Sequence, residues 1–230
     1  MKFYGLQKLT LLDFPGHTAC TVFTGGCNFR CPFCHNAALV TELDASSAVD
    51  EEEVFAFLDK RKGLLDGVAV TGGEPLLTDA ILPFLERVKA AGFAVKLDTN
   101  GCFPARLRTA VEAGLVDYVA VDIKNRPEKY AETVGVAEFD LAPVRETVDY
   151  LLSGAVDYEF RTTVVKEFHT VEDIRLCAKW IAGAKRYFLQ NFTDSGKLIG
   201  ENLHAVERDT LEKMAEAARL FVMTTETRGI

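Results

Sequence analysis

Apolar and β-branched runs recur along the chain at Ala19–Thr24, Val68–Thr71, Phe93–Asp98, Tyr118–Ile123, Tyr158–Val165 and Tyr187–Phe192. Between them lie stretches with a helical apolar period: Ser47–Lys60, Asp79–Ala91, Pro104–Ala113, Ala142–Leu152 and Val171–Ala182, with Val206–Leu220 after the last run. Continuous apolar strands separated by amphipathic helices predict a parallel sheet covered by helices. The first helix is the most sharply marked. Ser47 and Asp50 stand at capping-box spacing. Glu51, Glu52 and Glu53 fill its first turn and Lys60, Arg61 and Lys62 its last, the signs the helix dipole favours. Six strand–helix units are fewer than the eight of a closed barrel. An open six-stranded barrel and a doubly wound open sheet both fit, and periodicity alone does not separate them.

The composition is that of one globular domain over residues 1–230, with 48% hydrophobic and 26% charged residues. Fixed-length repeats and low-complexity tracts are absent from the sequence. No apolar run is long enough to cross a bilayer, and Gln7, Lys8 and Asp13 interrupt the start where a signal peptide needs an apolar stretch. The expectation is a cytoplasmic protein without a membrane partner. A net charge of −8 argues against a nucleic-acid surface.

Chemistry concentrates in one loop. Cys27, Cys31 and Cys34 lie within GGCNFRCPFCHN, directly after the first apolar run. Structural zinc closes with four ligands, and most iron–sulfur clusters use four cysteines. Three thiolates on one loop therefore suggest a four-iron cluster with one iron left open for another ligand. A zinc loop completed by His35 is the competing reading, although His35 directly follows Cys34 and zinc ligands are usually spaced further apart. Cys20, Cys102 and Cys177 stand apart in sequence and read as ordinary small side chains.

In parallel α/β folds, functional groups gather at the carboxyl ends of strands. The second run ends in Thr71-Gly72-Gly73-Glu74-Pro75, the third in Asp98-Thr99-Asn100-Gly101, and the fourth in Asp122-Ile123-Lys124. The fifth carries Arg161 and Thr163, and the sixth reaches Gln190 and Asn191. Each has a plainer explanation as a turn residue or a helix cap. Together they suit a ligand with an amino and a carboxylate group. Paired glycines permit close backbone approach, Glu74 can accept from an ammonium, and Lys124 or Arg161 can pair with a carboxylate.

The cysteine loop and Gly72-Gly73-Glu74-Pro75 resemble the radical S-adenosylmethionine (SAM) superfamily over nearly the whole chain. The resemblance implies a partial (β/α)6 barrel rather than a doubly wound sheet. CPFCHN, Asp98-Thr99-Asn100 and Asp122-x-Lys124 resemble the glycyl-radical-enzyme activases. The opening Gly5-Leu6-Gln7-Lys8…Asp13-Phe14-Pro15-Gly16 is similar to the branch that activates anaerobic ribonucleotide reductase. The resemblance implies one [4Fe–4S] cluster on Cys27, Cys31 and Cys34, with SAM chelating the fourth iron. Gly72, Gly73 and Glu74 would hold the SAM amino group. Lys124 would approach its carboxylate, with Arg161 in the same region, and Phe33 would face the adenine. Asp98, Thr99 and Asp122 match positions that bind a monovalent cation in a related activase, with Asn100 beside them. The implied reaction is reductive SAM cleavage followed by formation of a glycyl radical on a partner enzyme, fed by a flavodoxin- or ferredoxin-type reductant. Pyruvate formate-lyase activases have a His near the end of the sixth strand, where this chain has Gln190. Pyruvate formate-lyase as partner, a small-molecule substrate, or a non-catalytic metal-binding adaptor are the competing readings.

Overall fold

The computed structural model describes residues 1–229. Its strands are β1 (Lys2–Phe3), β2 (Leu6–Thr10), β3 (Ala19–Thr24), β4 (Val49–Asp50), β5 (Gly67–Gly72), β6 (Ala94–Thr99), β7 (Tyr118–Asp122), β8 (Asp157–Val164), β9 (Tyr187–Asn191) and β10 (Thr225–Arg228). Its helices are α1 (Ala37–Thr41), α2 (Glu51–Asp59), α3 (Ile81–Ala90), α4 (Pro104–Glu112), α5 (Tyr130–Val134), α6 (Ala142–Leu152), α7 (Val171–Trp180) and α8 (Arg208–Arg219). The six expected strands are present, in an α/β fold whose strand pairing is mostly parallel. The chain divides into two compact units. The first comprises Met1–Asn28, Ala38–Thr99 and Phe103–Val119; the second comprises Phe29–Ala37, Asn100–Cys102 and everything from Ala120 onward.

In the first unit β2 runs antiparallel to β3, while β3, β5 and β6 pair in parallel. The β3–β5 register runs from Ala19↔Gly67 to Thr24↔Gly72, so the two strands end flush. Val22, Val68, Val70, Val95 and Leu97 are fully buried, as are Ile81, Phe84, Leu85 and Val88 of α3. Each such side chain contributes roughly 1.5–3 kcal/mol on burial.

In the second unit β8, β9 and β10 pair in parallel, with Phe160↔Tyr187 to Val164↔Asn191 in register. Here the sequence does supply a capping box. The Thr170 hydroxyl accepts from Asp173 N–H, and Asp173 accepts from Thr170 N–H, at the start of α7. Asp173 also pairs with Arg126 and Lys129, which ties α7 to the segment after β7. α8 packs Leu211, Met214, Ala215 and Ala218 inward.

Several boundaries differ from the sequence expectation. Helix α2 starts at Glu51, with Asp50 as an N-cap that makes no side-chain bond. Ser47 instead closes a short 3-10 turn, Ala45–Ser47, capped by Asp44. The cause is the pairing of Val49–Asp50 with Lys2–Phe3, which holds that stretch extended. The helix also stops at Asp59, so Arg61 and Lys62 lie beyond it. The polar strands β2 and β10 and the short helices α1 and α5 were not expected.

Strand β5 leaves its ladder through a close backbone contact. Gly73 N–H donates to the Thr24 carbonyl (2.9 Å), and Glu74 N–H donates to the Gly26 carbonyl (2.8 Å). A Cβ on Gly73 would lie 1.9 Å from the Gly26 carbonyl oxygen, and one on Gly72 would lie 2.4 Å from Thr24 backbone. Neither backbone group can swing aside without breaking these bonds. The Gly73→Ala variant is therefore expected to lose about 1–3 kcal/mol, as overpacked sites do, in urea unfolding. Unchanged stability would mean that the two loops are not in contact.

Candidate functional site

Each unit carries part of the predicted set. In the first, Cys27 follows the Thr24–Gly26 segment on which Gly73 is seated, and its thiol donates to Asn28 Oδ1 (4.0 Å). Glu74 is buried. Its Oε1 accepts from Leu76 N–H (3.0 Å) and from the Thr99 hydroxyl (2.7 Å) at the end of β6. Asp98 is held by the ammonium of Lys96, two residues earlier on the same strand, and Lys96 is itself 1% exposed. The glycines and carboxylates thus have protein partners. Gly72 and Gly73 permit close approach of backbone, and the approaching group is the cysteine loop.

In the second unit, Cys31 to Cys34 form a turn closed by Cys34 N–H donating to the Cys31 carbonyl (3.1 Å), with Pro32 next to the leading residue as turns favour. Gly200 N–H donates to the Pro32 carbonyl (2.8 Å). The Phe33 ring is 3% exposed and faces inward, 5.7 Å from the Phe168 ring centroid. Asn100 accepts from Cys102 N–H (3.0 Å) and shapes its own turn.

The strand ends of β7 and β8 meet in an ion triad. Asp122 Oδ2 accepts from Lys124 Nζ (3.1 Å), and Oδ1 accepts from Arg161 Nε (3.1 Å). Burial alone would push the Asp122 carboxyl up, but the Arg161 guanidinium and Lys124 ammonium overcome it and hold it well below the usual carboxylate range. Burial alone would push Lys124 down, but Asp122 raises it, and thiolates at Cys31 and Cys34 would raise it further. Lys124 therefore sits within electrostatic reach of both sulfurs. Burial raises the Cys34 thiol, and the Lys124 ammonium opposes that rise. Two cations against one carboxylate leave the group net positive, which suits an anionic ligand.

None of the six cysteines is in a disulfide. Burial pushes Cys20 up to about 12 and Cys177 also upward, so neither is a ready thiolate. Among the described residues, no group of three or more His, Cys, Asp and Glu side chains is gathered at metal-binding distance. His35 is exposed, with its ring 5.9 Å from that of Phe192. No helix is long and apolar enough to cross a membrane among the described residues.

The sequence profile of the Radical SAM superfamily matches residues 21–181, the stretch that contains the cysteine loop, the Gly-Gly-Glu turn and the ion triad. The chain belongs to the radical SAM superfamily. A Methanocaldococcus jannaschii protein provisionally named a glycyl-radical enzyme activating enzyme is 34% identical, over 98% of this chain and 95% of its own length. A 7-carboxy-7-deazaguanine synthase of Koribacter versatilis is 26% identical over 89% of this chain and 88% of its own. Among solved structures, SuiB of Streptococcus suis superposes with a TM-score of 0.72 at 13% identity, over 91% of this chain. That likeness is one of fold, and the chain spans about half of SuiB (48%). A radical SAM chain with such relatives is an enzyme.

Sequence reasoning missed the loop after β9. Phe192, Asp194, Leu198, Glu201, Leu203 and His204 help line an open cavity of about 680 Å³ in the second unit, and none of the expected site residues lines it. His204 is held there by Glu167 (2.8 Å). Lys96 and His169 were also missed, the first hidden in an apolar run and the second a lone histidine with no motif around it.

Asp122 has a depressed carboxyl in the folded protein, so its contribution to stability is complete above the unfolded carboxylate value and fades as pH falls below about 4. The Asp122→Asn variant is expected to be less stable at pH 7 and to lose less stability than the parent between pH 7 and pH 3. Parallel pH-stability curves for the two proteins would contradict the triad.

Proposed function

We propose that this enzyme activates a glycyl radical enzyme, and that its partner is an anaerobic ribonucleotide reductase. The observation that carries the activase reading is the identity to the Methanocaldococcus jannaschii protein along nearly the full length of both chains. The partner rests on the opening segment Gly5–Gly16 and on the activase-like motifs. Cys27, Cys31 and Cys34 would ligate a [4Fe–4S] cluster, and three thiols from one short loop, none in a disulfide, are a suitable donor set. Because Cys27 lies in one unit and Cys31 and Cys34 in the other, we take the two units to work as a single domain.

Gly72 and Gly73 seat the Glu74 loop beside Cys27, so Glu74 would accept from the SAM amino group while Thr99 orients its carboxylate. The net-positive triad of Asp122, Lys124 and Arg161 would face the SAM carboxylate. Phe33, packed inward, supports the cysteine turn, and the neighbouring backbone would meet the adenine. Asp98 and Asn100 shape the β6 end. With the Lys96 ammonium already on Asp98, a monovalent cation is a lesser part of the scheme. When bound, the cluster and SAM supply one-electron reductive cleavage of the sulfonium and a carbon radical that takes hydrogen from the partner's glycine Cα. The chain's own residues would hold the methionyl part of SAM at its amino and carboxylate ends. A flavodoxin- or ferredoxin-type protein would supply the electron, in the cytoplasm.

A small-molecule substrate is the second reading, favoured by the open cavity after β9 and by the deazaguanine-synthase relative.

Cys27→Ala, Cys31→Ala and Cys34→Ala are each expected to abolish 5′-deoxyadenosine release after anaerobic reconstitution. Cys20→Ala, Cys102→Ala and Cys177→Ala should retain it. Equal iron loss in Cys102→Ala and Cys31→Ala would refute the three-ligand scheme.

Reduced protein mixed with SAM and anaerobic ribonucleotide reductase should give a Cys31-dependent glycyl-radical signal in electron paramagnetic resonance. SAM cleavage with no radical on the reductase, and turnover of a small metabolite instead, would establish the second reading.

A further inference from the structure

His169 lies in the turn between β8 and α7 and is 3% exposed. Its Nε2 is 2.8 Å from the Lys124 carbonyl oxygen. Its Nδ1 is 3.1 Å from Val165 N and 3.2 Å from Val165 O. A carbonyl only accepts, so Nε2 carries the proton and donates to Lys124. A backbone N–H only donates, so Nδ1 accepts from Val165. The Val165 carbonyl already accepts from the N–H groups of Phe168 (3.1 Å) and His169 (3.0 Å). The ring is therefore a neutral imidazole in one tautomer, as burial also favours.

The same turn reaches two further segments. Phe33, the residue before Cys34, has its ring centroid 6.5 Å from that of His169, edge-on at 72°. Asn125, next to Lys124 and fully buried, donates through Nδ2 to the Phe168 carbonyl (3.1 Å) and to the Thr133 hydroxyl (2.9 Å). The peptide groups at Lys124 and Asn125 are thus fixed from one side by buried partners, and the cysteine turn rests on the same rings. A lysine ammonium can reach many positions from a mobile backbone. Here the backbone it starts from is tethered.

We infer that His169 is a positioning residue for SAM binding: it anchors the Lys124 backbone, so that the ammonium meets Asp122 at one place, and it seats Phe33 beneath the Cys31–Cys34 turn. The inference rests on the reading that Lys124 faces the SAM carboxylate. Loss of a purely structural histidine would lower the melting temperature and leave the affinity of the folded protein alone.

The test uses the full chain, reconstituted without oxygen, as His169→Leu, His169→Gln and Lys124→Ala, with iron content, melting temperature and equilibrium SAM affinity measured for each. His169→Leu should keep its iron and bind SAM about tenfold more weakly, the scale of one lost hydrogen bond that orients a charged group. His169→Gln should recover most of that loss, since its amide can donate to Lys124 and accept from Val165. Histidine ¹⁵N magnetic resonance on the protein before reconstitution should find Nε2 protonated and Nδ1 bare. Undiminished SAM affinity in His169→Leu, alongside weakened binding in Lys124→Ala, overturns the inference and leaves the SAM reading standing. Undiminished affinity in Lys124→Ala removes that reading and the inference with it. A ring protonated at Nδ1 rather than Nε2 overturns the inference even if His169→Leu fails to fold.

Discussion

Parallel pairing of β3 with β5 ends flush at Thr24 and Gly72, and the chemistry of the first unit depends on that register. Because the strands finish together, the loop that carries Cys27 and the loop that carries Glu74 leave the sheet side by side. The contact between them is backbone on backbone, with the Gly26 carbonyl where a Gly73 side chain would start. A slip of one residue would exchange the faces of every side chain on β5 and separate the loops. The two glycines are thus required first by the protein's own packing. The resulting turn then presents Glu74, oriented by Thr99, beside the cysteine.

The second unit solves a different problem, which is how to keep positive charge in a mostly buried place. Asp122 does so by standing between Lys124 and Arg161. Removing one member of such a group costs more than the pair contributes, because an uncompensated charge is left behind. The group is net positive and lies within reach of Cys31 and Cys34, so it can receive the anionic end of a ligand close to the sulfurs. Asn125 and His169 brace it from behind without contributing charge of their own. Asp173 extends the bracing by pairing with Arg126 and Lys129 at the head of α7.

Much of this was legible in the sequence, and the exceptions have physical causes. The six central strands could be read because both faces are covered, which makes them continuously apolar. Edge strands β2 and β10 are short and polar, so they carry no such signal. The capping-box pattern at Ser47 failed because Val49–Asp50 is drawn into a ladder with the N-terminus, a long-range pairing that local spacing cannot reveal. The same pattern at Thr170 formed because Thr170 stays outside any strand ladder and Asp173 accepts from it as well as from Arg126 and Lys129. Cys27, Cys31, Cys34 and Lys124 could be singled out as candidates through motif and strand-end position. Lys96 and His169 were not, because a buried lysine inside a strand and an isolated histidine gain meaning only from their partners.

The proposed function requires an iron position left open by three cysteines and filled by the amino and carboxylate groups of SAM. Electron–nuclear double resonance on the reduced, reconstituted protein with SAM labelled at the amino nitrogen and carboxylate oxygen tests this most directly. Hyperfine coupling of both labels to the cluster, weakened by Lys124→Ala and absent in Cys31→Ala, is the predicted result. A cluster that forms with no coupling to either label would contradict it.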